Sequence, residues 1–332
     1  MKILGIETSC DETSAAVVED GRKILSNIVA SQIDLHQKYG GIVPEVASRK
    51  HVELILPTIQ EALDTAGCKL ADIDAIAAIN RPGLIGALIV GVAAAKAIAY
   101  TLNLPLVAVH HLAGHIYGNF LTEVELEFPF ICLIVSGGHS DIVYMTGHGE
   151  YRILARTRDD AAGEAFDKCA RAMGLGYPGG PIIDKLAQDG NSDAVKFPRA
   201  KVGDSLDFSF SGLKTAVIRF VQQNETVPIE DVAASFQQAV VDVLVENTMK
   251  AAKMKGVNRV LIAGGVAANR ALQRQMKERG ELLGIAVSAP PPKLCTDNAA
   301  MAAAAAYFNF DEGLKDGLRM DTFASEPLGA RE

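Results

Sequence analysis

One pattern in this chain constrains its fold more than any other, and it occurs twice. Residues 2–25 run from an apolar strand (Lys2-Ile-Leu-Gly-Ile6) through a Glu/Thr/Ser turn to a second apolar strand, a polar hairpin and a third strand. Residues 130–154 repeat the grammar: Phe130-Ile-Cys-Leu-Ile-Val135, Ser136-Gly-Gly-His-Ser140, Asp-Ile-Val-Tyr-Met145, a Thr-Gly-His-Gly-Glu150 hairpin, and Tyr151-Arg-Ile-Leu154. Two copies of one three-stranded meander predict an internal duplication. At 332 residues the chain accommodates two such cores. We expect an α/β protein with domains at 1–125 plus 296–332 and at 126–295, joined by the acidic stretch Thr122–Glu127.

Between and after the meanders the expected elements are mostly helical. Pro44–Ala66 reads as a helix interrupted by Pro57. The strand Ala75–Ile79, the turn Asn80–Gly83 and an apolar run from Leu84 to Leu102 follow. That run has the length of a membrane span, but it is rich in alanine and glycine and carries Lys96, so a buried helix is expected and no membrane association. Later come the strand Arg259–Ala263, the turn Gly264–Asn269, and an alanine-rich helix opened by Thr296-Asp-Asn298.

Composition limits the function. Lys plus Arg number 32 against 40 Asp plus Glu, a net charge of −8, so no overall basic field marks a nucleic-acid binder. The five cysteines are scattered and form no Cys-x-x-Cys pair, which predicts reduced thiols and a cytoplasmic setting. A strand begins at once, so no secretory leader is expected.

Chemistry-bearing residues gather at strand ends. His111 and His115 follow the short strand Leu104–Val109, and on a helix their imidazoles share a face one turn apart, within reach of one metal ion. The alternative is that one caps the helix and the other packs. Leu112 stands where a zinc peptidase needs its glutamate, which disfavours that chemistry. Asp297, at a helix start, is either a charge favoured by the helix dipole or a third, hard ligand. Asp11 and Glu12 lie in the first meander's turn. There they either cap or face solvent, or they meet a phosphate through a bridging cation. Three Gly/Ser turns after buried strands (7–14, 136–140, 264–269) suit a nucleotide held between two lobes. None is a Walker loop or a Gly-x-Gly-x-x-Gly fingerprint. Asp167 and Asp184 either bind ribose hydroxyls or are solvated; His139 either touches phosphate or is structural.

Taken together these stretches resemble the universal tRNA threonylcarbamoyladenosine enzyme family, bacterial TsaD (YgjD or Gcp). The matching blocks are Gly5–Thr13, Gly40–Arg49, Arg81-Pro-Gly-Leu84, His111-x-x-x-His115, Val135–His139 and Gly163–Lys168. Tyr177–Pro181, Phe208–Lys214, Gly264–Asn269 and Cys295–Ala299 complete the set, in order across nearly the whole chain. Ala113 departs from the glutamate that many bacterial members carry, and His110 is left out of the site.

The resemblance implies an actin-like fold of two ribonuclease-H-like lobes. It also implies transfer of threonylcarbamoyl from threonylcarbamoyl-AMP to the N6 amine of adenosine 37 in tRNAs reading codons that begin with A. His111, His115 and Asp297 would hold one divalent metal, Fe(2+) first and Zn(2+) as the alternative, with Asp11 and Glu12 in the catalytic group. Ile134, Val135, Ser136, Gly137 and Gly138 would line the adenylate's phosphate and carboxyl groups. Asp167, Gly180, Asp184 and Asn269 would hold its ribose and base, in a site that also takes ATP or ADP. Implied partners are tRNA, a TsaB-like paralogue and a TsaE-like ATPase, with a homodimer when the protein is alone. A small-molecule kinase of the same fold is the competing enzyme, and a catalytically silent scaffold the competing non-enzyme.

Overall fold

A computed structural model describes residues 1–122, 125–224, 226–311 and 317–331. Two compact units divide the chain. The first is Met1–Leu126 with His148–Glu150 and Thr296–Leu328; the second is Glu127–Gly147, Tyr151–Cys295 and Gly329–Glu332. Glu123 and Val124, inside the expected linker, lie outside the described residues.

The first unit starts with the meander β1 (Lys2–Glu7), β2 (Glu12–Glu19) and β3 (Lys23–Ser31), followed by α1 (Ile33–Gln37) and α2 (Pro44–Ala66). Next come β4 (Ala75–Arg81), α3 (Ile85–Leu102), β5 (Leu106–His110) and α4 (His111–Tyr117). The second unit holds β6 (Phe130–Val135), β7 (Ser140–Gly147) and β8 (Glu150–Arg156), then α5 (Ala162–Ala172), α6 (Gly179–Leu186), α7 (Ser211–Gln223) and α8 (Ile229–Lys255). It continues with β9 (Arg259–Ala263), α9 (Arg270–Leu283), β10 (Ala286–Ser288) and α10 (Pro292–Cys295). α11 (Ala299–Asp311) returns to the first unit, and β11 (Ala330–Arg331) adds an edge to the second sheet.

The strand order makes the duplication plain. The first sheet runs β3-β2-β1-β4-β5; the second runs β10-β9-β6-β7-β8-β11, the same order read from its other end, with β11 appended. In each, the first strand pairs antiparallel with the second and parallel with the fourth. The first strand is therefore central and covered on both faces, which is why β1 and β6 read as unbroken apolar runs rather than alternating ones.

On one face of the first sheet, α11 lies so close to β1 that a Cβ at Gly5 would stand 2.3 Å from the Ala299 carbonyl oxygen. A helix whose buried residues from Ala299 to Ala306 are alanine apart from Met301 permits that approach. On the other face, α2 and α3 pack with Ile55, Ile59, Ala62 and Leu63 against Val92, Ala95 and Ala99.

Three expectations need correction. Pro57 does not interrupt α2, which runs through it unbroken. A proline in a helix interior costs roughly 3 kcal/mol. Burying Ile55, Ile59 and Leu63 contributes about 1.5–3 kcal/mol each, and Pro57 itself faces solvent. The apolar run in α3 is buried on one face only: Ile89 and Tyr100 are 51% and 75% exposed, and Val52 and Leu56 on α2 are 64% and 66% exposed. The third strand of the first meander extends to Ser31, beyond the expected end at residue 25.

The Gly5 contact yields a stability prediction. Gly5→Ala forces β1 and α11 apart and should destabilise the protein by about 1–3 kcal/mol, the usual cost of overpacking. Unchanged denaturant melting of the variant would show that the interface relaxes freely.

Candidate metal centre and nucleotide turns

The metal candidates arise where β5 ends. Its five residues are all buried, and His110 turns the chain into α4 by accepting the Leu112 amide at Nδ1 (3.2 Å). The capping histidine is thus His110, which leaves the next two to face inward. His111 and His115 lie one turn apart, with ring centroids 4.6 Å apart at 75°. Asp297 reaches them from just ahead of α11: its Oδ1 is 3.2 Å from His115 Nε2 and 3.6 Å from His111 Nε2. Asp297 is not the helix cap, because the Met301 amide donates to Asn298 Oδ1 (3.2 Å). A ligand atom from each of the three residues lies within 4.8 Å of the others.

The hydrogen bonds around this trio test whether a cation fits. Glu7, fully buried at the end of β1, has Oε2 3.0 Å from His111 Nδ1, and Ser9 Oγ lies 3.1 Å from the same nitrogen. A carboxylate only accepts, so Nδ1 carries a proton and Nε2 is the His111 nitrogen turned toward Asp297. His115 is 1% exposed and turns Nε2 to Asp297 Oδ1. Two ring nitrogens and a carboxylate oxygen thus converge on one buried point that calls for positive charge, met by a second proton on His111 or by a cation that displaces it. Burial drives the His111 pKa down, but Asp297 and Glu7 outweigh it and hold it at about 9. Burial, with the charge on His111, lowers that of His115. The donor set therefore fits a divalent ion bound by two imidazoles and one carboxylate, with open positions left for substrate.

Asp11 and Glu12 lie in the same unit. Asp11 is buried and Glu12 half-buried, so neither is a solvated turn residue. Burial, with Asp297 and Asp11 nearby, pushes the Glu12 carboxyl up to about 10, and Ser31 Oγ donates to its Oε1 (3.2 Å).

In the second unit, Ser136–His139 closes the hairpin between β6 and β7. The Ser136 amide donates to the His139 carbonyl (2.9 Å), and the His139 amide to Ser136 Oγ (3.2 Å). Ile134 and Val135 are wholly buried, backbone included, whereas Gly137 and Gly138 are exposed. Gly264, at φ +89°, passes so near that a Cβ would meet the Val135 carbonyl oxygen at 2.3 Å. A Cβ on Gly137 or Gly180 would touch nothing.

The acidic candidates of this unit are engaged with the protein rather than solvated. Asp167 Oδ1 accepts the Gly179 amide at the start of α6 (2.7 Å). Asp184 pairs with Arg270 Nε (2.8 Å). Asn269 caps α9 by accepting the Leu272 amide (2.9 Å) and donates to Gln237 (2.6 Å). A recess of about 260 Å³ opens beside Asp184, Gln237 and Arg270.

The structure thus gathers His111, His115 and Asp297 at one point, with Asp11 and Glu12 in the adjoining turn. It places Ser136–Gly138, Asp167, Gly180, Asp184 and Asn269 on the other unit. Sequence reasoning passed over Glu7 and Arg270. The signal for Glu7 was a carboxylate ending an otherwise apolar central strand, a position that demands a partner.

Comparison with known proteins decides what this arrangement belongs to. The family model described as tRNA N6-adenosine threonylcarbamoyltransferase (TsaD) matches residues 23–304. A protein of that name from Symbiobacterium thermophilum is 58% identical over 98% of this chain and 97% of its own length. One from Clostridium kluyveri is 53% identical over 100% and 99%. The chain belongs to the TsaD family.

Among solved structures, the activator of the 2-hydroxyisocaproyl-CoA dehydratase from Clostridium difficile superposes with a TM-score of 0.57 at 16% identity. That match covers 94% of this chain and 97% of the activator. HypF gives 0.63 at 14% identity over 94% of this chain, which spans 46% of HypF. These likenesses establish the actin-like fold of a TsaD-family transferase and carry nothing about its substrates.

Two predictions follow from the site. Asp297→Ala should lose bound metal while melting within a few degrees of wild type, because Asn298 keeps the helix cap; full metal content in the variant would reduce Asp297 to a local charge. Gly137→Val adds a side chain into open space and should leave the fold unchanged while weakening binding of a nucleotide analogue at least ten-fold. Wild-type affinity by calorimetry would make the turn merely structural.

Proposed function

We propose that this protein moves the threonylcarbamoyl group from threonylcarbamoyl-AMP to the N6 amine of adenosine 37 in tRNAs reading codons that begin with A. The observation that carries this reading is membership of the TsaD family over the full length of the chain, with relatives named for that transfer at 53–59% identity. A kinase of the same fold is not favoured by these relatives.

In the reaction the amine nitrogen bonds to the carbamoyl carbon, the bond from that carbon to the AMP phosphate oxygen breaks, and the amine gives up a proton. The adenylate is a mixed anhydride and arrives activated, so the protein's tasks are placement and charge stabilisation. His111, His115 and Asp297 hold the metal, iron in preference to zinc, and a bound divalent ion would act as Lewis acid toward the oxygen that gains charge. Glu7 keeps the proton on His111 Nδ1, so that Nε2 stays a ligand. Asp11, in the turn beside the metal ligands, is the carboxyl group placed to take the amine proton, while Glu12, pushed up to about 10, holds its own.

On the other unit, the exposed amides of Gly137 and Gly138 receive phosphate oxygens, Ser136 holds the turn through His139, and Ile134 and Val135 carry it from the buried strand. Asp184 and Asn269, beside the recess, with Asp167 and Gly180, receive the nucleoside. Occupation of Asp184 by a ribose requires the Arg270 side chain to share it.

An acidic protein needs local basic groups to meet tRNA. Arg158 and Arg199 are already paired with Asp207 and Asp242, so Arg156, Lys196 and Lys201 are the better candidates. The uncovered apolar side chains of α2 and α3 support a subunit partner, a TsaB-like paralogue or a second copy, with a TsaE-like ATPase joining the assembly. A cytoplasmic setting follows from the tRNA substrate.

Reconstitution with threonylcarbamoyl-AMP and tRNA, read by nucleoside mass spectrometry, tests the reading: wild type should yield the modified adenosine. His115→Ala should yield none while keeping its fold, and modified adenosine at wild-type level from that variant would overturn the metal's role.

A further inference from the structure

The block from Gly40 to Arg49 has no part in the site described so far, yet the helix it opens delivers a histidine to that site's edge. His51 lies two turns into α2, is fully buried, and faces the turn between β1 and β2. Its Nε2 is 3.0 Å from the Cys10 carbonyl oxygen. A carbonyl only accepts, so Nε2 bears the hydrogen and Nδ1 offers a lone pair. The Thr13 hydroxyl meets that lone pair at 2.7 Å, with the Gln32 amide nitrogen farther off at 3.4 Å. Burial lowers the His51 pKa, which keeps the ring in this neutral, one-donor, one-acceptor form.

The two ends of this grip bracket Asp11 and Glu12. Cys10 is held through its carbonyl and Thr13 through its side chain, while the Gln32 amide holds the Asp11 carbonyl (3.0 Å). The preceding residues are pinned separately: the Leu84 amide donates to the Ser9 carbonyl (2.8 Å), and Thr8 Oγ1 to the Ala87 carbonyl (2.8 Å). The only side chain spanning Cys10 to Thr13 among the described contacts is that of His51.

We infer that His51 is a positioning residue for transfer: its neutral imidazole clamps the Cys10–Thr13 turn and thereby sets the Asp11 and Glu12 carboxyl groups beside Asp297. This rests on the reading of the first unit as the transfer site. Among the described contacts the side chain meets Cys10, Thr13 and Gln32 and none of the three metal candidates, so its loss should change turnover rather than metal content.

His51→Leu fills the volume without either hydrogen bond. His51→Gln restores an amide donor near the place of Nε2, and Thr13→Val removes only the hydroxyl. His51→Leu should keep wild-type metal content and KM for tRNA and lower kcat about 10–100-fold, the range seen when groups supporting a metal site are lost. His51→Gln should recover most of that loss, and Thr13→Val should fall between.

Amide hydrogen exchange supplies a second readout that does not depend on activity. The peptide covering residues 8–13 should exchange faster in His51→Leu and normally in His51→Gln. Wild-type kcat or unchanged exchange in His51→Leu overturns the inference, as does an equal loss in Leu and Gln variants accompanied by lost metal. Should His51→Leu fail to fold, wild-type kcat in Thr13→Val overturns it. A wild-type protein that makes no modified adenosine would instead sink the transfer reading, leaving the exchange result to decide the clamp.

Discussion

A carboxylate buried at the end of the central strand, Glu7, sets the terms for everything around the candidate metal centre. Wholly removed from water, it requires a partner that carries hydrogen or positive charge. His111 Nδ1 and the Ser9 amide supply hydrogen. That choice fixes which imidazole nitrogen faces Asp297, and with it the geometry of any ion bound there. The same carboxylate shapes the turn that follows β1, so the backbone carrying Asp11 and Glu12 is tied to the histidines from its first residue.

The duplication sets two different groups of residues on one scaffold. In both units the turn after the first strand is the sensitive place, because there a buried strand releases its backbone beside a helix terminus. The first unit fills that place with Glu7, Ser9, Asp11 and Glu12, side chains that manage charge. The second fills it with Ser136, Gly137 and Gly138, which offer amides and open space instead. Position in the fold is shared, and the residues decide whether it presents carboxylates or exposed amides.

The duplicated meander was readable because strand, turn and hairpin leave a periodic signature in short windows. The His111/His115 pair was readable because helical spacing is local. Asp297 was nominated by resemblance and by its place at a helix start, and its approach to the histidines depends on α11 folding onto the first sheet. Glu7 and His51 were not singled out, since their partners lie 104 and up to 41 residues away and no local pattern announces such pairs. Helix α2 contradicts its own proline for a similar reason: propensity is local, whereas burial of Ile55 and Ile59 belongs to the folded whole. The exposed side of α3 was misjudged because an apolar composition does not reveal which face lacks a neighbour within the chain.

The discontinuity of the first unit bears on how the protein is made. Residues 1–126 supply all five strands and both histidines, but the helix that packs against β1 is encoded after residue 296, behind almost the whole second unit. Chains emerge from the ribosome amino terminus first. The first sheet must therefore wait, one face uncovered, while the second unit is synthesised. A chain that ends between residues 116 and 296 retains His111 and His115 yet lacks both the covering helix and Asp297. The chain's layout therefore keeps the His111, His115 and Asp297 cluster from assembling until the second unit has been made.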